Sequence, residues 1–341
     1  MTEKYRKVAY YPGCALEGTG HAYNRSTKEV GKALGLELVE LENWNCCGAM
    51  EVKNVDPKLQ TFLSARNLKI AEDMGFDTVM APCNGCYHNL KKAEYDLSHD
   101  ASSRETVAKL AAKSGDQPYE AGNVETIHAL DWIRDAIGTD ELRKRVKNSL
   151  NGLKIANYYG CMYTRPRHIF PEKDKGPGSE STSKPHFMDD LLAAAGAENV
   201  EFPLKTACCG GAHTLSDSDT STRLVLNILT TAEACGAEVI ATECPPATPG
   251  WRCIRSAPKR CWARKPTSRS CISRNCWAWR WACPRARWAS TRTSPNRATC
   301  SRPRGWVDEH LAGNRRSHRG HARCGFCLGQ RHGAQHLAAC R

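Results

Sequence analysis

Five cysteines near the start of the chain constrain it more than any other feature. They are Cys14, the adjacent pair Cys46-Cys47, and Cys83 and Cys86, in the pattern C-x31-C-C-x35-C-x2-C. Thiolates are soft ligands that select zinc and iron–sulfur groups. Four of them close a tetrahedral zinc or cubane site, so five converging on one place predict something larger. Neighbouring side chains diverge, so a ligating Cys-Cys pair predicts a site broad enough to span two metals. The competing reading is a set of scattered buried thiols, and the adjoining C-x2-C speaks against it.

The segments between these cysteines alternate. Residues 7–11 (KVAYY) read as a strand that delivers Pro12-Gly13-Cys14. YNRSTKEVGKALGL follows as a helix, with Val30, Leu34 and Leu36 on roughly one face. LELVELE is a second strand leading to Asn45-Cys46-Cys47-Gly48, where the glycine lets the backbone turn closely. KLQTFLSARNLKIAEDMG is an amphipathic helix ending at Gly75. DTVMAPC is a third strand, and Cys86 opens a helix through YHNLKKAEYDL. Strands alternating with helices, with ligands at the strand ends, predict an α/β layer whose site lies at the carboxyl edge of a parallel sheet.

The second half restates the first: LKIANYYGC at 153–161 echoes RKVAYYPGC at 6–14. Cys161 corresponds to Cys14, Cys208-Cys209 to Cys46-Cys47, and Cys244 to Cys83. The polar insert KDKGPGSESTSKP lengthens the first gap and reads as a surface loop. MDDLLAAAGAENVEF and TRLVLNILTTAEACGAEVIA read as helix-to-strand passages. The expected architecture is α/β, with two pseudo-symmetric lobes that each hold a small, mostly parallel sheet flanked by helices. The boundaries are a first cysteine-rich lobe at 1–98, a helical linker region at 99–152, a truncated second lobe at 153–245 and a tail at 246–341. KSGDQPYEAGN is read as the inter-lobe link.

YYPGC, WNCCGA and APCNGCYHNL resemble the cysteine-rich CCG domain of the heterodisulfide reductase B-subunit family. The resemblance implies that Cys14, Cys46, Cys47, Cys83 and Cys86 hold a non-cubane [4Fe–4S] cluster. It implies a second cluster at Cys161, Cys208, Cys209 and Cys244. That set is incomplete, because Ala247 stands where the family places its closing cysteine. In the family the two clusters face each other across the lobe interface. A disulfide bound between them is cleaved or formed by two electrons, each sulfur being captured at one iron. The implied partners are an iron–sulfur C-type subunit, a flavin A-type subunit and a disulfide or thiol substrate. The chain has neither a C-x2-C-x2-C-x3-C-P run nor a placed G-x-G-x-x-G fingerprint, which agrees with electrons arriving from a partner.

Composition changes abruptly at Pro246. Nineteen arginines, seven of the nine tryptophans and nine of the 19 cysteines lie beyond it. The tail carries a net +19, which leaves the body at −6 and removes the nucleic-acid reading that the overall +13 invites. No periodicity survives there, so the tail is expected to be disordered or non-native. An out-of-frame reading accounts for it. Moving the frame of Asn275–Ala282 back one nucleotide recovers a Leu-Leu-Gly stretch resembling the end of B-subunit relatives. The same shift permits a cysteine and then a histidine from position 247, and a stop across Val307-Asp308. In that reading Cys324 and Cys327, His318, His321 and His332 have no role.

Two other functions stay open. One is a zinc-binding structural module using four of the five first-lobe cysteines. The other is an electron-transfer subunit of a lactate- or glycolate-type oxidase, since CCG lobes occur there too. Cys235 in TAEACGAE is expected to be a buried thiol. His213 is read as an ordinary loop histidine rather than a neighbour of the second site. His88 is read as either a hydrogen-bond donor behind the cysteines or a solvent-facing residue. With no apolar leader or membrane-spanning run the chain is expected in the cytoplasm, a reducing compartment in which its 19 cysteines suggest metal rather than disulfides.

Overall fold

The computed structural model describes residues 3–245 apart from Met50, Pro177 and Leu215. The expectations for the tail, Ala247 included, lie outside the described residues. Strand β1 (Lys7–Tyr10) is followed by α1 (Gly13–Glu17), α2 (His21–Ala33), β2 (Glu37–Glu40), α3 (Glu51–Val55), α4 (Pro57–Asp73), β3 (Thr78–Ala81), α5 (Asn84–His99) and α6 (Ala101–Ser114). Next come β4 (Glu125–His128), α7 (Ala129–Ile137) and α8 (Thr139–Arg145). The last described part runs through β5 (Lys154–Tyr158), α9 (Phe187–Ala194), β6 (Glu198–Val200), α10 (Ser218–Ala234) and β7 (Val239–Thr242).

Two parallel sheets form, in the orders β2-β1-β3-β4 and β6-β5-β7. In each, the first strand of the repeat is central and its two successors flank it. The register repeats as well: Lys7 pairs across to Glu37, and Lys154 to Glu198. Their ion pairs, at 3.0 and 3.8 Å, are half-exposed and worth at most about 1 kcal/mol each, so they mark the register more than they stabilise it.

Helix starts follow local chemistry. Asp56 caps α4 by accepting from the backbone N–H groups of Lys58 and Leu59, with Pro57 at the first helical position. On α4, Ala65, Leu68 and Ala71 bury one stripe against the sheet. Val8, Ala9 and Tyr10 of β1 are wholly buried, as expected for a central parallel strand covered on both faces. Truncating Leu68 to alanine would cost about 2–5 kcal/mol.

The region expected to be a helical link contains a strand. β4 pairs with β3 from Thr78↔Glu125 to Ala81↔His128 and widens the first sheet. His128 and Asp131 then form a reciprocal cap that starts α7 at once. Trp132 of α7 is fully buried, donates its indole N–H to the Tyr5 carbonyl at 3.0 Å, and reaches within 3.0 Å of where a β-carbon on Gly31 would sit. The link is thus built into the first lobe.

The core also crosses the lobe boundary. Ile155, Tyr159, Tyr163 and Leu191 belong to the same buried cluster as Val8 and Leu68. The other face of the second sheet is closed by Val225, Ile228, Leu229 and Ala232 of α10, packed on Ala156 and Ile240. The polar insert is anchored at two points where a plain surface loop was expected: Lys173 and Glu180 are both buried. Glu180 accepts from the backbone N–H groups of Ser181, His186 and Phe187, which is what makes its burial tolerable. Among the described residues no helix is long and apolar enough to cross a membrane.

Candidate metal centre in two lobes

The five first-lobe cysteines meet at the carboxyl ends of β1, β2 and β3. Cys14 Sγ lies 3.5 Å from Cys46 Sγ, and Cys47 Sγ lies 3.6 Å from Cys86 Sγ. Hydrogen bonding continues between Cys46 and Cys47 and between Cys86 and Cys83, so the sulfurs form one string. Cys47, Cys83 and Cys86 are buried, whereas Cys14 and Cys46 face solvent, giving the site a closed back and an open mouth. None of the five is bridged.

Thiolate character concentrates on two of them. Hydrogen bonds from Cys14 and Cys47, aided by the N–H groups of Gly48 and Ala49, hold the Cys46 thiol down at about 2. Cys83 is held low by Cys86 and by the N–H groups of Cys86 and Gly85, in the first turn of the helix that Cys83 caps. The same hydrogen bonds raise their partners: Cys14 goes up, Cys47 goes up to about 12, and Cys86 goes well up. The hydrogen bonds thus divide the set into two lowered thiols, Cys46 and Cys83, and three raised ones, Cys14, Cys47 and Cys86.

Gly13 makes the cluster of sulfurs close. Its φ is +66°, and a β-carbon there would sit 2.6 Å from Cys86 Sγ. The inward polar face of α4 holds the Cys46-Cys47 loop. Ser64 Oγ donates to the Cys47 carbonyl at 3.2 Å, and the Asn67 amide and the Asn45 backbone bond each other both ways at 2.9 Å. Asn89 on α5 donates to Cys47 Sγ at 3.6 Å. These supports were not anticipated. Polar residues at 60, 64 and 67, on the apolar stripe of α4, were the available signal.

The second lobe repeats this construction with four sulfurs. Cys161 and Cys208 share a hydrogen bond, and burial leads the shift of the Cys161 thiol up to about 11. Cys209 is raised by burial, against hydrogen bonds from the Gly211 N–H and Tyr158. Cys209 and Cys244 pack against the buried cluster that contains Tyr158. The correspondence extends to single atoms. Tyr11 Oη donates to the carbonyl before the first Cys-Cys pair (Asn45, 2.7 Å), and Tyr158 Oη to the carbonyl before the second (Ala207, 2.6 Å). Gly13 and Gly160 precede the first cysteine of each lobe at φ +66° and +70°, and Gly48 and Gly210 follow each pair at +72° and +69°.

The two sets abut. Asn84, between Cys83 and Cys86, donates to the Tyr159 carbonyl at 2.9 Å and to Glu243 Oε1 at 3.2 Å. Tyr159 lies just before Cys161 in the chain, and Glu243 directly before Cys244. Burial pushes the Glu243 carboxyl up to about 8.

Two expectations, for Cys235 and His88, are refined. Cys235 is exposed, not buried, because α10 ends at Ala234 and turns it outward as the cap residue. His88 is buried rather than solvent-facing: it bonds Asn89 at 3.1 Å, and burial lowers it to about 4. His213 lies exposed on a 3-10 turn at Gly211–His213. Among the described residues no three His, Cys, Asp or Glu side chains are arranged around a single metal ion. The five unbridged first-lobe cysteines form a sulfur-rich donor set, with Cys14 and Cys46 in contact and Cys47 and Cys86 in contact.

Two parallel α/β layers, each carrying a cysteine set around a Cys-Cys-Gly turn, define a tandem thiolate protein. The chain belongs to the CCG family of cysteine-rich domains, whose pattern it matches twice, over residues 8–91 and 155–246. One relative, the 8-methylmenaquinol:fumarate reductase membrane anchor subunit of Wolinella succinogenes, is 32% identical over 240 residues, covering 70% of this chain and 80% of that one. Another is the B subunit of the ferredoxin/F420H2-dependent CoB-CoM heterodisulfide reductase of Methanosarcina acetivorans. It is 28% identical over 242 residues, covering 70% of this chain and 77% of that one. The Methanosarcina match agrees with the B-subunit resemblance of the motifs. A crystal structure of a hypothetical protein from Helicobacter pylori shares the fold with a TM-score of 0.58 at 13% identity. That match covers 76% of this chain, which spans only 45% of the length of the other.

Proposed function

We propose that this chain is the iron–sulfur subunit of a heterodisulfide reductase-like complex and acts on a disulfide or its two thiols. The observation that carries this reading is the repeated site: two cysteine sets built to one plan and joined at Asn84 and Glu243. Cys14, Cys46, Cys47, Cys83 and Cys86 would hold the first non-cubane [4Fe–4S] cluster, and Cys161, Cys208, Cys209 and Cys244 the second. When bound, each supplies one electron and one Lewis-acidic iron, which is what two-electron cleavage of a disulfide requires.

The protein's own residues prepare the site. Gly13 lets the backbone approach the Cys86 sulfur, while Tyr11 and Tyr158 tether the Cys-Cys turns. The N–H groups around Cys46 and Cys83 favour negative charge on those sulfurs, while Asn89 donates to Cys47 Sγ. Cys14 and Cys46 at the open mouth leave the first set accessible from solvent. The partners in this reading are a C-type iron–sulfur subunit and a flavin-bearing A-type subunit, in the reducing cytoplasm.

The Wolinella relative favours a second reading, an electron-transfer subunit of an organic-acid reductase or oxidase. Anaerobic purification with iron and acid-labile sulfide analysis tests the shared premise: a brown protein containing both is expected, and a colourless zinc protein overturns it. Reduction of an added disulfide by reduced viologen then separates the two readings. Cluster-loaded protein that oxidises viologen only with a quinone or an organic-acid complex supports the second.

A further inference from the structure

We propose that Asn84 and Glu243 form a clasp between the lobes, each residue governing the exposure of the thiols in the opposite cysteine set. Asn84 is wholly buried and opens α5 between Cys83 and Cys86, and Glu243 is 2% exposed and immediately precedes Cys244. Their hydrogen bond spans 159 positions of sequence. The Tyr159 carbonyl can only accept, so it fixes which end of the Asn84 amide faces it and leaves Nδ2 shared with Glu243. Gly160, which follows Tyr159, takes the left-handed backbone at φ +70°.

The clasp is costly to keep. Asn84 Oδ1 and Glu243 Oε2 are both buried with no partner among the described residues. An apolar seam of the same shape would avoid that cost but would slide, whereas a directed hydrogen bond has a single register. Tyr23 and His128 brace the same edge: Tyr23 Oη donates to the Pro82 carbonyl at 3.1 Å, and His128 Nε2 lies 3.2 Å from it. Pro82 directly precedes Cys83. The two cysteine sets are therefore held to each other by polar contacts within two residues of their ligands. For a reaction that places one sulfur of a substrate at each set, this fixes the spacing. That consequence rests on the function proposed above, whereas the clasp does not.

The test uses the full chain, reduced and metal-free, with thiol alkylation rates read peptide by peptide by mass spectrometry. Exposed Cys235 serves as the internal standard. Asn84→Ala is expected to speed alkylation of Cys161 and Cys244 about tenfold, equivalent to 1.4 kcal/mol of protection. Glu243→Ala is expected to do the same to Cys83 and Cys86, and the double variant should exceed neither single change. Glu243→Gln keeps an acceptor for Asn84 and should react like the wild type. Acceleration confined to the mutated residue's own lobe, with circular dichroism unchanged, overturns the clasp. If Asn84→Ala does not fold, the contrast between Glu243→Ala and Glu243→Gln at Cys83 and Cys86 decides alone. Iron content of the loaded wild type reports separately on the proposed function.

Discussion

The ammonium of Lys173 lies 3.8 Å above the centroid of the Tyr163 ring and 4.0 Å from Asp131 Oδ1, with 1% of its side chain exposed. It joins the polar insert of the second lobe to α7 of the first. Asp131 also accepts from Tyr163 Oη at 2.9 Å. Burial alone would raise the Asp131 carboxyl, but the charges of Lys173 and His128 and the Tyr163 bond bring it below the usual range.

Lys173→Met should destabilise the protein by about 3–5 kcal/mol, because it leaves Asp131 buried without its cation. Lys173→Met combined with Asp131→Asn should recover much of that loss. Urea denaturation of the three variants measures both effects, and additive losses would show that the two residues act independently.

Glu94 sets a pH dependence. Burial raises its carboxyl from 4.5 to about 7, against Lys91 at 3.9 Å and the Thr126 hydroxyl, and with Glu172 and Glu125 adding to the rise. Between pH 4.5 and 7 the folded protein holds this proton more tightly than the unfolded chain. Stability therefore falls as pH rises through that window, by roughly 3 kcal/mol. Buried His88 and His128, lowered to about 4, slope the other way. The difference between wild type and Glu94→Gln removes the histidine contributions. That difference should favour Glu94→Gln increasingly from pH 5 to pH 8, and parallel stability curves would refute it.

Gly13→Ala should empty the first site. Its β-carbon would collide with Cys86 Sγ at 2.6 Å in a left-handed backbone. Gly35→Ala has the same φ of +66° but nothing within 4 Å, so it carries the backbone strain without the collision, about 1 kcal/mol, and should keep its iron. Cys83→Ala should bleach the first-lobe absorption in anaerobically prepared protein. Full iron content in either Gly13→Ala or Cys83→Ala would remove the ligand assignment.

The gene is expected to show one inserted or deleted nucleotide near the codons of Pro245 and Pro246. The family match ends at residue 246, and the recovered Leu-Leu-Gly stretch and the permitted stop use the same shift. Resequencing should restore a cysteine in place of Ala247 and end the protein near Val307. Confirmation of the frame as it stands would make the basic tail genuine.

The sequence by itself carried what depends on neighbours in the chain. Cysteine spacing, the strand that precedes each ligand, the glycines beside Cys14, Cys46-Cys47, Cys161 and Cys208-Cys209, and the repeat itself are all local patterns. Local backbone preference and side-chain alternation are enough to reproduce them in both lobes. Only the tertiary structure decided that β4 belongs to the first sheet, because a strand is recruited by the edge it meets and not by its four residues. The same holds for the buried ends of the polar insert, for His88 turned inward, and for Cys235 turned outward. The Asn84–Glu243 contact is the extreme case: the two polar residues lie 159 positions apart, and which faces would meet was set by packing the lobes into one core.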